Sequence, residues 1–117
     1  MDFYCDEVLT GRTSVKRVAE TQNVLAFHHT QPYWPVHIVI IPKKHIVSLS
    51  DLQSDDLQIV QEMLAVASDL CRQVTAKHGG CRLSTNCGDY QSTQHLHFYI
   101  HHGERLRDEA GNSIPPH

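Results

Sequence analysis

Several features that mark common protein classes are missing from this sequence. There is no basic stretch beyond Lys43-Lys44, and the formal net charge is −3, so a broad electrostatic surface for nucleic acid is not expected. No apolar run approaches the roughly 20 residues of a membrane span, and the opening residues MDFYCDEVLTG lack the apolar region of a signal peptide. The four cysteines form no C-x-x-C pair. We therefore expect a reduced, cytoplasmic protein that binds neither nucleic acid nor membranes.

The length of the chain bounds its organisation. A chain of 117 residues is long enough for one domain with a single core and too short for two. We assign residues 1–103 to this domain. From Gly103 onward the sequence is polar and ends in prolines, so residues 104–117 are expected to form a weakly ordered C-terminal tail.

Short apolar runs separated by turns predict a sheet. Strands are expected at residues 15–20, 23–29, 36–42, 81–86 and 95–101. The first two are separated only by Thr21-Gln22, which indicates a tight hairpin. In the third, VHIVIIP, the side chains on both faces of the strand are mostly apolar. It is therefore expected at the centre of the sheet, covered on both faces.

One long segment, from Ser54 to His78, has the periodicity of an amphipathic helix. Its predicted buried stripe consists of Leu57, Val60, Met63, Leu64, Ala67, Leu70, Cys71 and Val74. Ser54 is expected to cap this helix and Gly79-Gly80 to end it. With a further short helix near residues 4–10, the pattern predicts an α+β fold: a mainly antiparallel sheet of about five strands with the long helix on one face.

The stretch TQHLHFYIHH, from Thr93 to His102, contains four of the ten histidines. Alternate side chains of a strand share a face. One face of this strand is therefore polar and consists of His95, His97, Tyr99 and His101. The other face is apolar, consists of Leu96, Phe98 and Ile100, and is expected to pack under the long helix.

Three interpretations of the polar face are compatible with its spacing. It is a solvent-facing strand with incidental histidines, or a metal site, or a catalytic histidine array. H-x-H on a strand is a common pair of zinc or iron ligands, but a third ligand such as His37 or a carboxylate is needed, and the strand itself has no acidic residue. A neutral imidazole can also attack phosphorus when a neighbour fixes its tautomer and others neutralise the phosphate.

Two motifs taken together resemble the histidine triad family. STNCGDYQSTQHLHFY resembles that family's alternating histidine motif with its upstream Gln-Ser pair, and NVLAFHH followed by HIVIIPKKHI resembles its strand-loop-strand segment. The resemblance covers roughly residues 3–103. It implies a homodimeric hydrolase that acts on nucleoside phosphoramidates, or related purine nucleotide conjugates, through a covalent nucleotidyl-histidine. The alternatives are a nucleotidyltransferase or phosphorylase of the same superfamily, and a nucleotide-binding protein with weak or lost turnover.

The resemblance also implies roles for individual residues. His97 is the nucleophile, His95 and His37 orient it, and Tyr99 occupies the position of the third histidine. The phosphate is expected to meet neutral donors, namely Asn86, Gln91 and Ser92. The nucleoside is expected to contact Phe27, His28, His29, Thr30, Val8 and Leu9.

At four positions the chain departs from the family pattern. Tyr99 replaces a histidine, and a phenol with a pKa near 10 donates a hydrogen bond but is a poor proton shuttle. His29 stands where many members have an aspartate for the ribose hydroxyls, and Tyr90 stands where a glycine precedes the Gln-Ser pair. Many relatives bind zinc through paired N-terminal cysteines, and only Cys5 is present here. We therefore expect neither a metal nor a cofactor.

Overall fold

Five antiparallel strands form the sheet of this protein in a computed structural model that describes residues 2–115. They are β1 (Arg17–Glu20), β2 (Val24–His28), β3 (Val36–Pro42), β4 (Arg82–Thr85) and β5 (Phe98–His102). Their order across the sheet is β1-β2-β3-β5-β4. With the single long helix α1 (Leu57–His78), this confirms the predicted α+β fold.

The central position of β3 explains its composition. It pairs with β2 on one side and β5 on the other, and only its first residue, Val36, is not fully buried. Helix α1 covers one face of the strand and the N-terminal turn covers most of the other, so apolar residues occupy both alternations, as the sequence predicted.

Helix α1 covers one face of the sheet, but it is rotated relative to the predicted stripe. Leu57 and Leu64 are 57% and 49% exposed, whereas Val66, which the stripe omitted, is buried. The residues that face the sheet are Met63, Val66, Ala67, Leu70 and Val74. The predicted buried stripe was therefore wrong at Leu57, Leu64 and Val66. Periodicity identifies the apolar side of a helix, but the packing against the sheet determines which of its residues are buried.

The ends of the helix also differ from the prediction at one position. The helix begins at Leu57, after a separate 3₁₀ turn, Ser54–Asp56, so Ser54 does not cap it. In that turn the N–H of Gln53 donates to Asp56 Oδ2 at 2.9 Å in a capping box. The C-terminus is as predicted. Gly79 has a φ of 95°, and its N–H donates to the carbonyl of Thr75 at 2.8 Å.

The opposite face of the sheet is covered only in part. A short helical turn, Tyr4–Val8, lies over it, near the expected N-terminal helix. It packs in a second apolar cluster with Leu25, Phe27, Val39 and Ile41. The uncovered part of this face carries the polar side chains of β3 and β5, so the N-terminal segment leaves a site open beside it.

Strand β5 begins at Phe98, three residues later than predicted. The register pairs Ile40 with Phe98, which would place Leu96 opposite Pro42. Proline has no N–H for the ladder, and the N–H of Leu96 instead donates to the carbonyl of Ile46 at 2.6 Å. The apolar face was predicted correctly, since Leu96, Phe98 and Ile100 all lie in the cluster beneath α1.

The segment after Gly103 turns back along the loop that follows β2. The N–H of Leu106 donates to the carbonyl of Tyr33 at 2.7 Å, and Arg107 pairs with Ser113 in an isolated bridge. The boundary between a domain at 1–103 and a tail at 104–117 stays a prediction, and residues 116 and 117 lie outside the described part. Within residues 2–115, no helix has both the length and the apolar character needed to cross a membrane.

Candidate active site

Two neighbouring cavities lie on the open face of the sheet. The larger has a volume of about 760 Å³, and the smaller has about 150 Å³. His29, Ser92 and Tyr99 line both cavities. These three residues therefore mark the junction between a wide, mostly polar space and a narrow, more aromatic slot.

His97 is held in one tautomer by the backbone. Its Nδ1 lies 2.7 Å from the carbonyl oxygen of His95, and because a carbonyl can only accept, Nδ1 carries the proton. Thr85 Oγ1 donates to the carbonyl of His97 at 2.6 Å, which holds the residue's backbone. The lone pair of the neutral ring is therefore on Nε2. Burial lowers the pKa of His97, although the bond to the His95 carbonyl opposes this.

The Nε2 atom of His97 is buried and has no partner. Within the described residues, only His97 Nε2 and His37 Nε2 are buried side-chain nitrogen or oxygen atoms without a hydrogen bond. The ring of His97 is 4.8 Å from that of Tyr99 and 5.4 Å from that of Tyr4, measured between centroids. Tyr4 and Tyr99 line the smaller cavity, but His97 lines neither. A ligand therefore reaches Nε2 only when a neighbouring ring shifts.

Tyr99 and His37 lie side by side. Their centroids are 4.6 Å apart with the rings nearly perpendicular. Burial raises the pKa of Tyr99, although a hydrogen bond from Tyr4 opposes this. The phenol therefore remains protonated at neutral pH and is a hydrogen-bond donor, not a base.

His95 faces away from both cavities. Its Nε2 donates to the carbonyl of Pro42 at 2.8 Å, and its Nδ1 faces Asp2 Oδ2 at 2.8 Å. The side chain is fully buried. The contact of His95 with His97 is therefore made by its backbone carbonyl and not by its ring.

The three predicted phosphate donors occupy different places. Asn86 and Ser92 line the larger cavity. Gln91 lines neither cavity, because its side-chain amide donates to the carbonyl of Val47 at 2.7 Å and holds the loop in place. Tyr90 stands at the rim of the larger cavity and is 84% exposed.

The predicted nucleoside contacts also divide. Phe27, His29 and Thr30 line the smaller cavity. His28 is exposed at the end of β2 and lines neither cavity. Val8, the last residue of the N-terminal turn, is buried in the second apolar cluster, and Leu9 packs against that cluster, so neither lines a cavity.

Five aromatic or cationic residues of the cavities were not predicted from the sequence. Phe3 and Tyr4 line the smaller cavity, and Tyr33, Trp34 and Arg105 line the larger one. Trp34 stacks on His101 at 3.8 Å, and the Arg105 guanidinium lies 5.6 Å from the centre of the Trp34 ring. No local pattern identifies them, although the Tyr-Trp pair inside a proline-flanked loop is an unusual use of large aromatics.

A second cluster lies behind the site. Asp2, Cys5, His45 and His95 each offer one ligand atom, all within 4.8 Å of one another. Burial, followed by the Asp2 carboxylate, raises the pKa of the Cys5 thiol to about 11. Burial opposes ionisation of Asp2, yet hydrogen bonds from the Cys5 N–H and from His95 lower its pKa to about 2.

The donor set of this cluster fits zinc. Zinc accepts imidazole, thiolate and carboxylate in tetrahedral sites, and bonds of about 2.0 to 2.3 Å give ligand-to-ligand distances of about 3.3 to 3.7 Å. Cys5 Sγ lies 3.3 Å from His95 Nδ1 and 3.7 Å from His45 Nδ1, which matches these distances. Asp2 Oδ2 lies closer to both imidazoles than ligands of one zinc ion do, 2.5 Å from His45 Nδ1 and 2.8 Å from His95 Nδ1, so the carboxylate must move outward when an ion binds.

Comparison with known proteins gives consistent matches. A family model described as scavenger mRNA decapping enzyme C-terminal binding matches residues 4–111. A 13.2 kDa HIT-like protein of Azospirillum brasilense is 32% identical over 85% of this chain and 84% of its own length.

Solved structures agree. The structure of a HIT family hydrolase from Legionella pneumophila superposes with a TM-score of 0.78 at 30% identity, covering 91% of this chain and 96% of that one. A histidine triad protein from Clostridium difficile gives a TM-score of 0.76 at 31% identity, with 92% and 94% covered.

Proposed function

The chain belongs to the histidine triad (HIT) family, and from that premise we propose that it is a nucleotide hydrolase whose His97 forms a covalent nucleotidyl intermediate. The substrates of this proposal are nucleoside phosphoramidates or related purine nucleotide conjugates. The observation that carries it is the state of His97: a neutral ring, its proton held on Nδ1 by a backbone carbonyl, and a free lone pair on Nε2. This is the state that an imidazole nucleophile requires.

The proposed reaction has two steps. The lone pair of His97 Nε2 forms a bond to the α-phosphorus while the bond from phosphorus to the leaving group breaks, and the leaving group departs with that electron pair and takes a proton from solvent. Water then attacks the same phosphorus and gives up a proton to solvent. The bond to Nε2 breaks, its electron pair returns to the His97 ring, and the nucleoside monophosphate is released. Asn86 and Ser92 are neutral donors suited to the non-bridging oxygens. Tyr99 contributes a hydrogen bond but no ready proton.

Two alternatives share this site. A nucleotidyltransferase or phosphorylase would use the same covalent intermediate and pass the nucleotide to an acceptor other than water. A nucleotide-binding protein with little turnover is favoured by one observation, the tyrosine in place of the third histidine. Analysis of the reaction products distinguishes transfer to another acceptor from hydrolysis. The rates of phosphoramidate hydrolysis by wild type and Tyr99→His distinguish an enzyme from a nucleotide-binding protein without turnover.

Binding of nucleoside monophosphate is the first expectation of this proposal. AMP and GMP should bind to wild-type protein at or below millimolar concentration, and Ser92→Ala should weaken binding by about tenfold through loss of one donor to a charged group. Ser68→Ala, on the exposed side of α1, is the matched control and should bind like wild type. Isothermal titration calorimetry measures the affinities of wild type and of both variants. If neither AMP nor GMP shows saturable binding to wild type, the assignment as a nucleotide-binding protein is refuted.

The cluster of Asp2, Cys5, His45 and His95 is proposed to hold a structural zinc ion. The sequence predicted no metal because one cysteine of the usual pair is absent, and Asp2 supplies a ligand in its place. A bound ion here ties the N-terminal turn to the loops on either side of the sheet and fixes His95, whose carbonyl orients His97. It takes no part in the chemistry at phosphorus.

Metal content tests this proposal independently of activity. Protein purified without chelator should contain about one equivalent of zinc, and chelation should lower its melting temperature, since a ligand that binds only the folded state stabilises it. Cys5→Ser should lose most of the zinc, whereas Cys87→Ser, at an exposed cysteine, should keep it. Metal-free protein whose melting temperature is unchanged by chelator would support the original expectation of no metal.

A homodimer in the cytoplasm completes the proposal. Leu57 and Leu64 are exposed on α1, and Leu83 is exposed on β4, an edge strand with an unpaired side. Exposed apolar side chains beside a free edge favour self-association. The four cysteines are unpaired, in keeping with a reducing compartment.

The oligomeric state is directly measurable. Light scattering on a sizing column should give a mass of two chains for wild type. Leu64→Glu should shift the protein towards one chain, because it places a charge in an apolar contact, while Ser68→Glu should not. A wild-type protein that elutes as a single chain at all concentrations would contradict the dimer.

A further inference from the structure

Two histidines of the larger cavity form a pair whose arrangement the attack on phosphorus does not explain. His29 follows β2, and His37 is the second residue of β3. Their rings stack with centroids 4.3 Å apart and planes 15° from parallel. The N–H of His29 donates to the carbonyl of His37 at 2.8 Å, which holds the two backbones together.

The backbone fixes the tautomer of each ring. The N–H of Gln31 donates to His29 Nδ1 at 3.0 Å, and the N–H of Tyr33 donates to His37 Nδ1 at 3.0 Å. A ring nitrogen that accepts a hydrogen bond carries no proton, so in both neutral rings the proton is on Nε2. Burial is the main cause that lowers the pKa of His29 to about 4 and that of His37 to about 3. Both histidines are therefore neutral N–H donors at pH 7.

One of these donors is buried and has no acceptor. His37 is 3% exposed, and in the part of the chain that the structure describes its Nε2 has no hydrogen-bond partner. An unsatisfied buried donor is costly, so such groups are uncommon outside functional sites. His37 lines the larger cavity, and a ligand oxygen there would satisfy it.

The charges around the pair define what kind of ligand it suits. The positive charge of Arg107 contributes to the lowered pKa of His29, and Arg105 lines the larger cavity. Asp89 and Glu109 line the same cavity, so the cavity as a whole has no large positive field. General electrostatic attraction would therefore not be enough to hold an anion here, and directed N–H donors beside one or two arginines would have to bind it.

Resting on the proposed nucleotide chemistry, we propose that the Nε2–H groups of His29 and His37 bind a second phosphoryl group of the nucleotide, distinct from the one that His97 attacks. The two rings are stacked with centroids 4.3 Å apart and each offers one N–H donor, which suits a group with several oxygens such as a phosphate. A carboxylate in the place of His29 would repel such a group. The second phosphate is carried either on the ribose ring or on the next position of the 5′ chain.

Four ligands distinguish these sources. Isothermal titration of wild-type protein with AMP, adenosine 2′,5′-bisphosphate, adenosine 3′,5′-bisphosphate and ADP measures what each second phosphate adds. At least one of the last three is expected to bind about tenfold or more tightly than AMP. A gain with either bisphosphate identifies a ribose phosphate, and a gain with ADP alone identifies the 5′ chain.

Two variants test whether the affinity gained from the second phosphate depends on the pair of His29 and His37. In His29→Asp the ratio of the bisphosphate or diphosphate affinity to the AMP affinity should fall to about one, because a carboxylate repels the added charge. His78→Asp makes the same change at an exposed site on α1 and should keep the wild-type ratio. Circular dichroism and the melting temperature establish that His29→Asp is folded.

Three results overturn the inference. A gain below about threefold for all three ligands, with AMP still bound, refutes the second phosphate site alone. A gain that persists in His29→Asp refutes the role of the pair. Failure of AMP itself to bind refutes the proposed function, and this inference with it.

Discussion

His97→Ala is expected to abolish turnover of an adenosine 5′-phosphoramidate, with a loss on the order of 10⁴-fold or more. The variant removes the lone pair that forms the proposed covalent bond to phosphorus, and His97 is the described residue to which the proposal assigns that bond. The other histidines of the open face are held differently: His37 carries its proton on Nε2, and His101 is stacked under Trp34. Neither presents a free lone pair in the place of His97.

The control for this variant is His102→Ala. His102 ends the same strand, and its Nδ1 donates to the carbonyl of Gly80 at 2.9 Å, so its loss should change the rate little. Because His97 is buried, the folding of His97→Ala must be checked by its melting temperature. Acid quenching of wild type followed by mass spectrometry should reveal the nucleotidylated chain, absent in the variant. A folded His97→Ala with an unchanged rate would refute the nucleophile assignment.

Tyr99 substitutions are expected to change the same rate in opposite directions. Tyr99→Phe removes a neutral donor and should cost about 10²- to 10³-fold, or about 2 to 4 kcal/mol, if the phenol stabilises charge in the transition state. Tyr99→His introduces a group that titrates near neutral pH and can deliver a proton to an amine leaving group. It should therefore raise phosphoramidate hydrolysis. Its smaller ring also gives freer access to His97 Nε2.

Steady-state kinetics on one adenosine phosphoramidate measures both substitutions. Tyr90→Phe removes a phenol from the exposed rim of the larger cavity and is the matched control, expected to match wild type. An inactive wild type with an active Tyr99→His would mean that the natural protein binds nucleotides without processing them. If Tyr99→Phe is as fast as wild type, the phenol does not contact the reacting phosphate.

The local sequence pattern was sufficient to predict the helices and strands, and to predict which face of the histidine-containing strand β5 is buried. The apolar alternation of residues 36–42 placed β3 at the centre of the sheet, and the alternation after His95 placed Leu96, Phe98 and Ile100 beneath α1. Both depend on one physical rule, that alternate side chains of an extended chain share a face. The same rule put His97 and Tyr99 on the open face, and their rings are neighbours.

The local sequence pattern was insufficient to predict which part of the apolar surface of α1 faces the sheet, or where β5 begins. Periodicity could not decide that Val66 would be buried and Leu64 exposed, because that depends on how α1 is rotated against the sheet. The start of β5 depends on Pro42, a residue of another strand that offers no N–H.

The sequence by itself determined the fold class, the family resemblance and the candidate nucleophile, because each is written in residues that are near one another in the chain. The tertiary structure alone decided the rest. It brought Asp2 to His95 across 93 positions, stacked His29 on His37 through a strand pairing, and closed the larger cavity with Arg105 from the returning C-terminal segment. Such contacts follow from the packing of the whole chain, since no local spacing encodes which distant segments meet.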